Sequence, residues 1–188
     1  SYENVDSPAA AFEAGMRRST NLGSQVVVTT PEPRLDAMVS VCGHAIDGTF
    51  YPPVYVHGAM AWNNPFLGWR TLYGAIAYGW HDNVKIQGNY YIDSQNTDDS
   101  RRTARLAPES SYTLQASDSR FWGKGRIMKD NNPYNMQTQF FDQMIYAWRW
   151  TGDPELEKML RPALEMHLEW SRECFDPDGD GCYESYIN

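Results

Sequence analysis

The chain has 188 residues and a formal net charge of −8, long enough for one ordinary domain with a real core. It is too acidic for a nucleic-acid partner, since its field repels phosphate polyanions and releases no counterions. Hydrophobic residues make up 41% and charged residues 21%, a globular composition, and no apolar run approaches the roughly 18 residues that a membrane span needs.

Aromatic residues reach 14%, with 7 Trp and 12 Tyr; their flat apolar faces and polar edges suit either core packing or a surface that grips amphipathic ligands such as sugars. The first ten residues lack the basic and then apolar profile of a signal peptide, and a chain opening on Ser1 is expected of a processed or excised segment. Ser7 as N-cap, Pro8 at the first helical position and Phe12 and Met16 on one face predict a short helix to Ser19, leading out through Gly23. Gln25 to Thr30 is a β-branched run that fits a strand or an extended connector, ended by Pro31 and Pro33. Leu35, Met38, Val39, Cys42 and Ile46 recur at helical spacing, with Gly48 placed to stop the turn.

Phe50 to Arg70 is rich in Pro, Gly and rings without a period and reads as an ordered loop. Leu72, Ala75, Ile76 and Gly79 share one helical face, and a further helix from Asp82, as its cap, to about Tyr91 follows. Residues 93–132 turn polar and irregular, which in a compact domain marks a functional or disordered loop; Arg101, Arg102 and Arg105 read there as a basic face answering Asp98 and Asp99. Beyond it Phe140, Phe141, Met144, Ile145 and Trp148 form one helix face. Gly152 is a C-terminal stop, Asp153 an N-cap and Pro154 the first residue of the next helix. Leu156, Met159, Leu160, Ala163, Leu164, His167 and Leu168 make the facing stripe of an antiparallel partner, with His167 expected as a hydrogen-bonded core histidine. Cys42, Cys174 and Cys182 have neither zinc spacing nor the number for a disulfide framework, and admit one pair at most.

The most specific local signal follows that last helix. Asp176, Asp178 and Asp180 occupy positions 1, 3 and 5 of a D-x-D-x-D-G loop, with Gly181 at 6, the Cys182 carbonyl at 7 and Glu184 at 9. Calcium takes six to eight hard oxygens, alternate carboxylates converge on a tightly coiled backbone, and glycine permits the bend that swings the next carbonyl inward. Ile187 stands where an EF-hand has its bidentate glutamate, so the expectation is a Ca2+ loop without an EF-hand around it; a bare Asp/Gly turn is the competing reading.

Val26 to Phe50, an extended segment ending in T-P-x-P before a helix, resembles the lead-in to the helical domain of six-hairpin (α/α)6 glycosidases. The run Tyr146 to Trp170 followed by Asp176 to Tyr186 resembles the hairpin those enzymes repeat: helix, T-G-D turn, helix, and a D-x-D-G-D-G loop at the active-site end. The resemblance implies an all-α chain of antiparallel helical hairpins forming part of an (α/α)6 toroid. Residues 1–33 would then be an N-terminal linker helix and extended segment, and residues 34–188 the first hairpins. Four or five helices are less than half a toroid, so the resemblance implies truncation, with the remainder of the same polypeptide as a partner. It further implies an oligo- or polysaccharide substrate, a periplasmic or extracellular location, and glycoside hydrolysis by two carboxyl groups flanking the scissile bond once the toroid is complete.

Within this chain the acids beside rings are Asp47, Asp82, Glu109 and Glu184, of which Asp82 and Glu184 are the catalytic candidates. Trp62, Trp69, Arg70, Trp80 and His81 are the binding candidates, since rings stack on pyranose faces and arginine donates paired hydrogen bonds. Two rivals stand beside this reading. One is a calcium-stapled helical scaffold for protein partners, marked by buried Trp62 and Trp69 and no groove between hairpin ends. The other is a polysaccharide lyase on the same toroid, with Tyr or His as base next to Arg.

Overall fold

The structure is a computed structural model that describes residues 7–58, 65–99, 121–129, 136–176 and 178–183. The expectations at Trp62, at Glu109 and Glu184, and at Arg101, Arg102 and Arg105 lie outside those residues. The described residues are all-α apart from one two-stranded hairpin, and no helix among them is long and apolar enough to cross a membrane. The chain divides into two compact units, Ser1–Phe50 and Tyr51–Asn188.

The first unit is a pair of packed helices, α1 Pro8–Ser24 and α2 Pro33–Asp47. Ser7 caps α1 through a hydrogen bond from the Ala10 N–H, and Pro8 and Pro33 each open a helix, where the absent N–H costs nothing. Gly23, expected as an exit, lies inside α1 and lets the helices approach at Ser40 and His44. The Arg18 guanidinium pairs with Asp47 at 2.6 Å, and Ser19 meets His44 Nε2 at 2.9 Å. The β-branched run after α1 forms no strand: Val27 to Thr30 is irregular, held by the Thr30 N–H and hydroxyl donating to Asp36 Oδ1. The apolar face expected on α2 is not a core face either, because Leu35, Met38 and Cys42 are exposed, Val39 and Ile46 are half-buried, and only Gly43 of the helix is buried.

A hairpin of β1 Phe50–Tyr51 and β2 Val54–Tyr55, an element that aperiodic sequence concealed, begins at the last residue of the first unit and leads into the helices of the second. Those helices are α3 Thr71–Ala77, α4 His81–Ile92, α5 Gln137–Thr151 and α6 Pro154–Phe175. Leu72, Ala75 and Ile76 are fully buried, and Gly79, at φ +76°, turns the chain from α3 into α4. Asp82 is not the cap of α4. Trp80 holds that position without a side-chain cap, and Asp82 sits in the first turn, where a carboxylate favours the helix dipole.

The α5–α6 turn forms as its residues dictate: Gly152 is left-handed at φ +63°, Asp153 Oδ1 accepts from the Glu155 N–H at 2.9 Å, and Pro154 starts the helix. Phe141 stacks on His167 with centroids 4.3 Å apart, which fixes α6 running back along α5. Leu168, expected in the inner stripe, is exposed. Residues 121–129 lie against α6, with Gly123 and Gly125 beside Trp170 and Met166.

His167 is buried in that core, its Nε2 3.3 Å from the Ser171 hydroxyl, and burial lowers its pKa to about 3. Because this folded value lies below the unfolded one, near 6.5, the stability contributed by the neutral ring is full above that pH and falls as acid approaches the folded value. Between pH 7 and pH 5 the loss from this group is expected to be about 2 kcal/mol. Chemical denaturation across that range should show it in the native chain and not in His167→Gln; equal pH slopes for the two proteins would refute it.

Candidate functional site

The helices of the second unit have two distinguishable ends, and the residues expected at one site are divided between them. At one end α4 and α6 begin side by side. Gly79, Trp80, His81, Asp82, Asn83, Lys85, Thr151 and Asp153 line a polar cleft of about 620 Å³ there. Lys85 crosses between the helices: its ammonium donates to Asp153 Oδ2 at 3.2 Å and lies 3.8 Å from Asp82 Oδ1. The Asp153 carboxyl is held below the usual carboxylate range by the Glu155 N–H and then by Lys85, while the hydrogen bond to Asp153 raises Lys85. Asp153 is therefore an ionised cap and no proton donor. Asp82 is almost wholly exposed, and the Nε2 of His81 is enclosed. Trp80 packs against Tyr78, with centroids 5.4 Å apart.

Trp69 and Arg70 lie at the opposite end, at the start of α3. Gly68 fits against the Met136 carbonyl and Phe140 N–H at the head of α5, and the Leu72 N–H donates to Gln143 Oε1 at 3.0 Å, so α3 and α5 start level. α6 returns along α5 with His167 level with Phe141, and its last eight residues carry it about 12 Å past that level. Trp69 is 40% exposed and meets the His57 ring edge-on at 4.6 Å. Arg70 adopts the left-handed conformation at φ +58°, uncommon for a residue with a side chain, and is exposed.

The acidic loop follows α6 beyond that level. One side-chain oxygen each from Asp176, Asp178 and Asp180 lie within 4.8 Å of one another. Two oxygens bound to one calcium at 2.3–2.6 Å can be at most about 5 Å apart, so the three fit a single ion. The loop is shaped by its own hydrogen bonds: the Cys182 N–H donates to Asp180 Oδ1 at 2.7 Å, and the Gly181 N–H to Asp176 Oδ1 at 3.3 Å. Gly179 and Gly181 take φ +76° and +85°, the tight coiling that alternate ligands require. Burial and then the Asp176 charge raise the Tyr183 phenol.

Trp80, His81 and Asp82 are thus gathered in one cleft, Trp69 and Arg70 lie at the start of α3, and the three aspartates follow the far end of α6. The 22 residues of α6 put about 33 Å, at 1.5 Å per residue, between the cleft and the acidic loop. Asp82 therefore does not stand across a scissile bond from any carboxylate of the described acidic loop. Lys85 and Asp153 are the cleft residues that sequence reading left without a site role; 68 positions separate them, and no local signal joins them. No protein-family model matches the chain, and neither a curated protein nor a solved structure does.

Proposed function

We propose that this chain forms the first hairpins of an (α/α)6 toroid in a carbohydrate-active enzyme that hydrolyses glycosidic bonds, and that its working end is the one with Trp69, Arg70 and the acidic loop. The observation that carries the reading is the set of three convergent carboxylates that follows α6, beside which stand an exposed indole and an exposed guanidinium at the start of α3 as candidate sugar contacts. Trp69 stacks on a pyranose face while Arg70 donates paired hydrogen bonds to its oxygens. Asp176, Asp178 and Asp180, with the Cys182 carbonyl and Glu184, hold Ca2+, which would neutralise the carboxylate cluster and keep the loop coiled. A polysaccharide substrate and a calcium loop of this kind suit a periplasmic or extracellular setting.

Hydrolysis requires one protonated and one ionised carboxyl about the glycosidic bond. Glu184, which lies outside the described residues, is the candidate from this chain, and its partner comes from the remainder of the polypeptide. Asp82, exposed beside Lys85 at the far end, is left with a charge-pairing role.

The lyase reading is the weaker one. Tyr73 donates to Asp142 Oδ2, and burial and that bond push its pKa up to about 12, so it holds its proton and makes a poor base. A protein-binding scaffold would bury Trp69, which stands exposed.

Calorimetric titration of the 188-residue chain with neutral and acidic oligosaccharides tests the assignment. Trp69→Ala and Arg70→Ala are expected to weaken the best ligand about tenfold each, as truncated aromatic and arginine anchors do, with Trp80→Ala unchanged. Loss of binding in Trp80→Ala with Trp69→Ala unaffected would move the site to the other end.

A further inference from the structure

A serine and a histidine meet across the two helices of the first unit. Ser19 Oγ on α1 is 2.9 Å from His44 Nε2 on α2, and His44 Nδ1 is 2.8 Å from the Ser40 carbonyl oxygen one turn back. A carbonyl only accepts, so Nδ1 carries the proton of the neutral ring and Nε2 turns its lone pair towards Ser19. The Ser19 hydroxyl therefore donates to His44. That order, from hydroxyl to imidazole to a fixed acceptor, is the arrangement by which a weak oxygen nucleophile is activated.

The two helices hold the pair in place. One residue before Ser19, the Arg18 guanidinium donates to both Asp47 carboxylate oxygens at 2.6 Å, and Asp47 lies three positions after His44, so the register of α1 on α2 is pinned beside the pair. Gly23, one turn after Ser19, leaves the space that His44 and Ser40 fill: a Cβ there would stand 3.2 Å from His44 Cε1 and overlap the Ser40 hydroxyl. Gly15, one turn before Ser19, borders open space, with nothing within 4 Å of where a Cβ would be. A glycine inside a helix is destabilising relative to alanine, and at Gly15 no close approach offsets that cost. It does leave an unobstructed path to Ser19, which is itself exposed.

We propose that Ser19 is a nucleophile for acyl transfer from carboxylic esters to water, with His44 as its general base. Oγ bonds to the ester carbonyl carbon as its proton passes to Nε2. Collapse of the tetrahedral adduct breaks the bond to the leaving alcohol, which departs with that proton. Water then gives a proton to Nε2 as its oxygen bonds to the acyl carbon, and Ser19 Oγ leaves with the proton restored, releasing the carboxylic acid. The substrate class is a small ester with a good leaving group, because an exposed helix face supplies reactivity and little binding energy.

The inference uses only α1 and α2 and is independent of the carbohydrate reading. To test it, the 188-residue chain is mixed with p-nitrophenyl acetate, nitrophenolate release is followed by absorbance, and the acetylated residue is located by peptide mass mapping. The acetyl group is expected on Ser19. General-base assistance is worth about 10²–10⁴-fold, so Ser19→Ala and His44→Gln should each slow release about a hundredfold. Ser19 is exposed and alanine favours helix, so Ser19→Ala keeps α1, and circular dichroism verifies the helix content of each variant. Added imidazole should restore part of the rate to His44→Ala, above that of Ser19→Ala in the same imidazole, which a hydrogen bond that only ties two helices would not produce. Acetyl on lysine or the N-terminal amine alone, or equal release by Ser19→Ala and the native chain, overturns the proposal and leaves the pair as an interhelical tie. Release that falls in Ser19→Ala but in neither His44 variant removes the general base and overturns it as well.

Discussion

Gly125→Ala is expected to destabilise the chain by about 3–5 kcal/mol, the combined cost of a strained backbone and an overfilled contact. Gly125 sits at φ +103°, and a methyl group there would overlap the Met166 carbonyl oxygen and press on Trp170 Cβ. Neither neighbour yields cheaply, because one is helix backbone in mid-α6 and the other is the root of a buried indole. The same glycine anchors its segment by hydrogen bonds: its N–H donates to the Asn96 carbonyl at 2.7 Å, and its carbonyl accepts from Gln95 Nε2 at 2.8 Å. Gly152→Ala is the internal control. Gly152 is also left-handed, at φ +63°, but has open space around it, so its substitution should cost only the backbone preference, about 1–2 kcal/mol. Urea denaturation of both variants reads the difference directly. A Gly125→Ala cost no larger than that of Gly152→Ala would mean that residues 121–129 do not lie against α6.

That dependence on a single close approach shows where sequence stops informing. The α5–α6 hairpin was legible because every local rule agreed: apolar spacing of 3.6, Gly152 for the left-handed stop, Asp153 for the cap and Pro154 for the first turn. The coiling of the acidic loop was legible for the same reason, since alternate aspartates and a glycine at the sixth position specify it locally. What joins the helices to the irregular segments was not legible. Gln137 uses both ends of its amide on Ile127, accepting from the N–H at 2.8 Å and donating to the carbonyl at 3.0 Å. Gln95 reaches the Gly125 and Ala163 carbonyls, and Gln87 accepts from the Tyr55 N–H at 2.6 Å. Each is a buried polar side chain standing in for a strand partner, and a glutamine in an amphipathic pattern reads as solvent-facing.

The same limit divided the site. Trp80, His81 and Asp82 are close in sequence to Trp69 and Arg70, and nearness along the chain suggested one surface. The seven residues of α3 carry the two groups to opposite ends of that helix, about 10 Å apart. On α2 the error ran the other way: the period was helical, as read, but a period says which residues share a face and not whether anything covers it.

Calcium is expected to raise the melting temperature of the chain by about 5–10 °C when present at a hundredfold excess over its Kd, relative to the chelated protein. Binding at that excess adds about 2.7 kcal/mol, and a domain of this size gains roughly 2–4 °C per kcal/mol. The carboxylates of Asp176, Asp178 and Asp180 converge within 4.8 Å, so without a cation they repel one another at close range. Asp178→Asn with Asp180→Asn removes two charges and keeps an oxygen to accept the Asp180 and Cys182 N–H bonds that shape the loop. The double variant should therefore melt slightly above the chelated native chain, through relief of repulsion, and show no shift on adding calcium. This opposed pair of changes distinguishes an ion site from a turn that only caps α6, because a capping loss would lower stability in chelator and calcium alike. Thermal melts of both proteins in chelator and in excess calcium decide it. Coincident curves for the native chain in the two conditions would leave Asp176 to Cys182 as a helix-terminating turn and withdraw calcium from the proposed working end.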